Sequence, residues 1–253
     1  MKFITTSWDD GHPADKRLSA LLAKYDLGAT FYIPRSNDQH PVMEEKEIKE
    51  LSRHFEIGGH TLHHVNLTRV PLPVAIHEIR GCYRWLQDTI GKDPVSFCPP
   101  YGAYGRGSLG VIAAAGFRTV RTTELLSTGI PPAVPTTGHG DLPAPGSGTL
   151  LHTTLQAFPH SGFTYLKHLV LRRRFGNLVR WRRSGYANDL FRLLDHYLED
   201  IDANGGCFHL WGHSWEIDAY DLWDTMDQIF RRVARLPGFR YVANKDLTST
   251  IPL

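Results

Sequence analysis

Two adjacent carboxylates, Asp9 and Asp10, follow a short β-type run, Phe3 to Thr6, and Gly11 turns the chain directly after them. Like charges so placed repel, and they persist most easily when a cation or a proton occupies the gap. The competing reading is a solvated turn in which Asp10 or Asp15 caps the next helix. A second cluster weighs against that turn. The stretch "GGHTLHHVNL" carries His60, His63 and His64. His60 and His64 are four apart, so one helical turn starting at His60 projects both imidazoles from one face. Two imidazoles and one carboxylate, Asp10, form a facial set for a divalent metal with positions left open. Histidines that only hydrogen-bond within a loop are the alternative. Beside such a metal, Asp9 is the candidate base for a water. His213, at the end of "CFHLWGH", is the candidate acid for a leaving nitrogen. His209 shares its side of that strand by the period of two but lies deeper, where a core or supporting role is expected.

These residues need elements to bring them together. Leu18, Leu21, Leu22 and Tyr25 recur at helical spacing, with Gly28 as a stop. "ATFYI" (29–33) reads as a buried strand, and Ile48, Leu51 and Phe55 mark a second helix. "FEIGGH" is a short strand, and Ile76 to Ile90 step by three and four as a third helix. "VSFC" and "FRTV" are strands around a short helix, Ser108 to Ala115. Gly129 to Gly148 reads as a long loop and "TLLHTTLQ" (149–156) as one strand. A helix over Leu190–Ile201, the strand "CFHLWGH", a helix over Leu222–Val233 and the strand "FRYV" complete the chain. Strands alternating with helices imply a parallel sheet covered by helices, whose chemistry sits at the C-terminal strand ends. Asp9-Asp10, His60, Tyr101 and His213 all follow predicted strands directly.

Composition narrows the class. The chain has 253 residues, 42% hydrophobic and 21% charged, as expected of one sizeable domain. A net charge of +2 is too mild to argue for nucleic acid, and three cysteines give no disulfide framework. No apolar run reaches the roughly 18 residues that span a bilayer. Met1-Lys2 leads straight into the first strand, so no secretory signal is visible and a cytoplasmic location is expected.

In order and spacing, "SWDDG", "HTLHH" and "FCPPYG" resemble the first three motifs of the polysaccharide deacetylases, the NodB-like carbohydrate esterases. "KYDLGATFYIP" and "EIKELSRHFEIGGHTLHH" are similar as well, and the likeness returns at "CFHLWGH" and "FRYVANKDL". The resemblance implies a distorted (β/α) barrel with fewer than eight full units, formed by residues 1–253 as one catalytic domain. It implies one divalent metal, most often zinc, on Asp10, His60 and His64, with Asp9 as base and His213 as acid. It also implies a backbone N–H at Tyr101 as oxyanion donor. The implied reaction is removal of N-acetyl groups from an amino sugar, in a glycan or in a lipid- or nucleotide-linked precursor. Pro100, Tyr101, Trp215 and Arg121 are the expected substrate contacts. Trp215 is read as a sugar platform or a core residue, and Glu216 as a brace for His213 or a helix cap.

The departures are specific. Cys98 stands where the family often has the arginine that orients the base, and Arg106 or Arg121 is the expected substitute in space. The family's fourth motif has no clear counterpart, and residues 122–185 form an atypical insertion. Within it, 167–185 carries six arginines among Leu, Val, Phe and Trp. Such a stretch suits a phosphate-bearing carrier or peripheral contact with an anionic membrane, or it is a solvated helix face. Two other functions remain open at this stage. One is hydrolysis of another non-peptide carbon–nitrogen bond, of the cyclic amide type; the other is metal-dependent glycan recognition without catalysis.

Overall fold

The structure, a computed structural model, describes residues 1–130 and 149–249. Most of the predicted loop Gly129–Gly148 lies outside the described residues. Nine strands are described: β1 (Lys2–Asp9), β2 (Ala29–Ile33), β3 (Glu56–Gly59), β4 (Ser96–Phe97), β5 (Thr119–Arg121), β6 (Thr149–Leu151), β7 (Leu155–Gln156), β8 (Gly206–His213) and β9 (Phe239–Tyr241). The helices are α1 (Asp15–Lys24), α2 (Glu45–Leu51), α3 (Leu72–Ile90), α4 (Arg106–Ala115), α5 (Gly162–Leu171), α6 (Phe175–Arg183), α7 (Leu190–Asn204), α8 (Ser214–Ala219), α9 (Trp223–Val233) and α10 (Asn244–Ser249). No helix among the described residues is long and apolar enough to cross a membrane.

Every strand pairing is parallel, in the order β6-β5-β4-β3-β2-β1-β8-β7, and β9 joins β1 at Lys2–Ile4. The two ends of that order, β6 and β7, are separated by only His152, Thr153 and Thr154. Four Cα steps of about 3.8 Å reach no more than roughly 15 Å, so the sheet has to curl until its edges nearly meet. The seam is stitched by backbone bonds: Thr154 N–H donates to the His209 carbonyl (2.8 Å), Leu126 N–H to that of Thr154 (2.9 Å) and Cys207 N–H to that of Thr128 (2.9 Å). The result is the expected distorted (β/α) barrel. "TLLHTTLQ" is therefore two strands and not one. The Thr153 and Thr154 hydroxyls donate to the carbonyls of Glu124 and Ser127, both at 2.7 Å, and hold the chain in the crossing.

β1 is the central stave and is buried from Phe3 to Asp9, as a parallel strand covered on both faces must be. Its three hydroxyl side chains are accordingly all bonded. Thr5 Oγ1 donates to Asn244 Oδ1 (2.9 Å), Thr6 Oγ1 to the Gly28 carbonyl (3.1 Å), and Ser7 Oγ meets His209 Nε2 (2.8 Å). Asn244 begins α10, an element the sequence reading did not anticipate. Its Nδ2 also donates to the Tyr32 hydroxyl and its N–H to Thr30 Oγ1, at 2.8 and 3.0 Å, so α10 closes the end of the barrel remote from the site. The basic stretch forms two helices, α5 and α6, broken at Arg172–Arg174, where Arg173 adopts φ 54°.

His209 lies inside the barrel with 1% of its surface exposed. Burial, assisted by the nearby Arg121 charge, lowers its pKa to about 3. The unfolded chain therefore takes up this proton first as pH falls. Stability is fully present above about pH 6.5 and is lost as pH falls toward about 3, at a slope near 1.4 kcal/mol per unit. His209→Gln keeps a polar partner for Ser7 and removes the titration. Urea unfolding at about pH 7 and about pH 4 should show a loss smaller in the variant by a few kcal/mol. Equal losses in the two proteins would place the acid sensitivity elsewhere.

Candidate active site

Strand register brings the first two candidates together. Asp9 of β1 lies opposite His213 of β8, and Ser7 opposite Trp211, so the period of two aims Ser7, Asp9, Trp211 and His213 into the barrel mouth. The Asp9 carboxylate makes an ion pair with Nη2 of Arg121, the last residue of β5. Both side chains are almost completely buried, at 4% and 0% exposure. The guanidinium is packed between the rings of Trp211 and Tyr32, at 4.6 and 5.3 Å from their centroids. Arg121 holds Asp9 Oδ1, and Oδ2 faces His213 Nε2 at 4.0 Å.

Asp10 follows in a left-handed conformation, φ 78°, which turns its side chain away from that of Asp9. Its Oδ1 lies 3.1 Å from His64 Nε2 and 3.6 Å from His60 Nε2. All three donor atoms fall within 4.8 Å of one another, and all three residues are buried. The His60 ring and the Asp10 carboxylate are oriented from behind. His60 Nδ1–H donates to the Cys98 carbonyl (2.6 Å), which leaves the Nε2 lone pair facing Asp10. Trp215 Nε1–H donates to Asp10 Oδ2 (2.8 Å). Asp10 Oδ1 is buried without a hydrogen-bond donor. Burial alone would raise the Asp10 carboxyl; the His60 and His64 imidazoles outweigh it and hold the group well below the usual carboxylate range. A bare acceptor oxygen converging with two imidazole nitrogens suits a divalent cation.

The loop that carries these histidines is not the helical turn expected from their spacing. Thr61 and His64 both adopt left-handed backbone, φ 64° and 52°, and it is this coiling that makes the two rings converge. His63 points outward and anchors the loop to α3: its N–H and Nδ1 meet the two Glu78 oxygens at 2.9 and 2.7 Å. Leu62 presses on α3 at Gly81, where an added Cβ would lie 2.3 Å from Leu62 Cδ1. That approach explains a glycine inside a helix, at a cost of about 1 kcal/mol relative to alanine.

His213 Nδ1–H is held by Glu216 Oε2 at 2.7 Å, and Gln156 Nε2 donates to the same oxygen at 3.2 Å. Glu216 is thus a brace for the histidine. Burial by itself would lower the His213 pKa; Glu216, with the Asp9 and Asp10 charges, reverses this and raises it. Trp215 is not a core residue. It lines the cleft, and its indole stacks on His40 at 4.0 Å. Tyr101 adopts φ 59°, is 55% exposed and sits 4.9 Å from the His64 ring.

Two expected substrate contacts are corrected. Arg121 has no exposed surface, because the barrel needs it beneath Asp9, so it cannot touch substrate. Pro100 is buried in the turn that presents Tyr101 and does not line the cleft. Cys98 is a small buried residue that meets the site twice: its carbonyl accepts from His60, and its thiol lies 3.9 Å from Asp9 Oδ2; burial raises its pKa. The Arg106 side chain lies outside the described residues. The cleft, about 410 Å³, is within the range of small-ligand sites. One wall was missed from sequence: Gln156 and His160 with Thr164, His168 and Arg172, the last three spaced by four along one edge of α5.

With this geometry in hand, comparison with known proteins is specific. The family model for polysaccharide deacetylase matches residues 1–120. Peptidoglycan-N-acetylmuramic acid deacetylase PdaC of Bacillus subtilis is 32% identical over 103 residues. That stretch is 40% of this chain and 22% of the Bacillus protein. A Mycobacterium smegmatis protein assigned as a polysaccharide deacetylase superimposes with a TM-score of 0.67 at 12% identity, covering 98% of this chain and 90% of that one. The chitin deacetylase of the fungal pathogen Colletotrichum lindemuthianum gives 0.58 at 14% identity, covering 99% and 88%. At such identities these likenesses show the fold.

The buried pair yields a thermodynamic prediction. Arg121→Met leaves the Asp9 charge buried and unpaired, a loss of about 3–5 kcal/mol. Asp9→Asn added to Arg121→Met removes that charge and should restore most of the lost stability. Denaturant unfolding of the two single variants and the double variant would show the coupling. Strictly additive losses would mean that the two groups do not interact.

Proposed function

We propose that this chain, whose residues 1–120 match the family model for polysaccharide deacetylase, is a metal-dependent hydrolase that removes the N-acetyl group from an amino sugar. One observation carries this reading: the Asp10–His60–His64 donor cluster adjoins a carboxylate, Asp9, and an imidazole, His213, that face each other across one cleft. A divalent ion on Asp10, His60 and His64, zinc by its two-nitrogen, one-oxygen donor set, would polarise the acetyl carbonyl and acidify a water.

The chain's own groups do the proton work. Asp9 Oδ2 takes a proton from the attacking water, while Arg121 fixes the other oxygen of the same carboxylate. Tyr101 offers its backbone N–H to the charge that develops on the carbonyl oxygen. As the carbon–nitrogen bond breaks, His213 Nε2 gives a proton to the sugar nitrogen, and Glu216 keeps Nδ1–H in place. Acetate and a free amine leave. The Tyr101 and Trp215 rings on an open cleft favour a sugar over a small cyclic amide. We read the chain as one catalytic unit in which the atypical residues 122–185 supply a substrate wall.

Two sets of variants separate metal binding from catalysis. Asp10→Ala, His60→Ala and His64→Ala should each lose the bound divalent ion in elemental analysis. Asp9→Asn and His213→Ala should keep it and lose about 10²–10⁴-fold in kcat for acetate release from N-acetylated oligosaccharides. Undiminished metal in the first set, or near-native turnover in the second, would sink the assignment of that residue.

A further inference from the structure

We propose that the α5–α6 hairpin docks on an anionic lipid bilayer and so sets the cleft against sugars anchored in that bilayer; the sugar part of this statement rests on the deacetylase reading. α5 has three faces. Tyr165 and Leu169 turn inward, at 1% exposure each. Thr164, His168 and Arg172 line the cleft. Phe163, Leu166 and Val170 fall on the side away from the core, exposed by 74%, 42% and 50%. Leu171, Phe175 and Val179 continue the apolar surface at 72%, 64% and 52%. Soluble surfaces seldom show so much protruding apolar area in so short a stretch.

Charge identifies the occupant. From residue 142 to residue 188 the chain has no Asp or Glu, yet it carries Lys167 and six arginines. Three of those arginines are engaged with the body of the protein. Arg174 pairs with Glu124 at 2.6 Å, Arg172 donates to Thr123 Oγ1 at 3.2 Å, and Arg180 Nε lies 4.0 Å from Asp200 Oδ2 of α7. Lys167, Arg173, Arg182 and Arg183 have no ion-pair partner among the described residues. Exposed apolar side chains in one short stretch with cations that have no ion-pair partner among the described residues match an interface of anionic headgroups over acyl chains. A second copy of the chain fits poorly, because it would bring cations against cations with no acid between them. The catalytic cleft opens on the adjoining face of the same helix. A substrate whose sugar is joined by phosphate to a lipid would therefore pass Arg172 on its way from bilayer to cleft.

Cosedimentation with vesicles of phosphatidylcholine, with and without phosphatidylglycerol, tests the dock. The protein should bind only the anionic vesicles and release as salt is raised. Arg173→Gln/Arg182→Gln/Arg183→Gln should weaken binding about 100-fold, at roughly fivefold per cation. Phe163→Ser/Val170→Ser/Phe175→Ser should abolish it. Both triple variants should retain wild-type acetate release from soluble N-acetylated oligosaccharides. On an N-acetylglucosaminyl phosphate polyprenol in anionic vesicles, both should lose the rate that the parent protein shows. No binding by the parent protein, or unchanged binding in both variants, overturns the dock. So does a parent dimer that the Ser variant converts to monomer in sedimentation velocity. Vesicle binding without acetate release from either substrate would leave the dock standing and remove the deacetylase reading instead.

Discussion

An ion pair with almost no access to water, Asp9 with Arg121, governs the rest of the site. Removing both charges from solvent costs several kcal/mol per ion, and mutual attraction repays this only in good geometry. Here the guanidinium gains further compensation from the faces of Trp211 and Tyr32. The two residues come from strands that are not neighbours. Their contact requires β1 and β5 to face each other across the barrel, so the pair depends on the curl of the sheet. In return the pair fixes which carboxylate oxygen of Asp9 is free. The orientation of the Asp9 carboxylate is thus set by the protein itself.

The same economy of placement appears in the metal cluster. Asp10, His64 and Tyr101 all carry positive φ without being glycine, a conformation that persists only where the surroundings over-determine it. For the histidine loop the surroundings are visible: Glu78 holds His63 by two bonds, and Leu62 is seated on Gly81. α3 thus controls where His60 and His64 point, although it contributes no group to the cleft. Sequence-adjacent Asp9 and Asp10 avoid competing for one ligand because the backbone turns sharply between them.

Much of this was legible in residue types and spacing. Strands ending in Asp, His or Tyr were readable because buried parallel strands are short apolar runs with clear stops. The register of β1 with β8 made His209 the deeper histidine, as alternation alone implied. Arg121 was visible as a substitute for the family's arginine but also misread as a substrate contact. Its partner lies 112 residues away, and no local pattern reports which barrel face a strand-end arginine takes. The spacing of His60 and His64 correctly placed two rings together but assigned the wrong backbone, since convergence by left-handed residues leaves no helical signature. "TLLHTTLQ" was read as one strand because the break at His152–Thr154 is imposed by barrel closure, a long-range demand, and threonines fit strand and crossing equally well.

The residues beyond the stretch that the family model matches do structural work that residues 1–120 do not. The proposed catalytic groups lie on β1, β8 and the loops after β3 and β4, and β7 with α5 forms the second wall of the cleft. That wall is tied to the barrel through Glu124 and the Leu125 carbonyl, the acceptor for Asn177 Nδ2 at 2.9 Å. Both tethers leave the 122–128 segment that also closes the barrel seam. One irregular stretch thus joins three tasks: it completes the cylinder, anchors the substrate wall and fixes the angle at which α5 meets solvent. A change in that wall would reshape the cleft without disturbing Asp9, Arg121 or the histidine loop. The Asp10–His60–His64 cluster with Asp9 and His213, and the wall that faces them, are thereby carried by separate parts of one barrel.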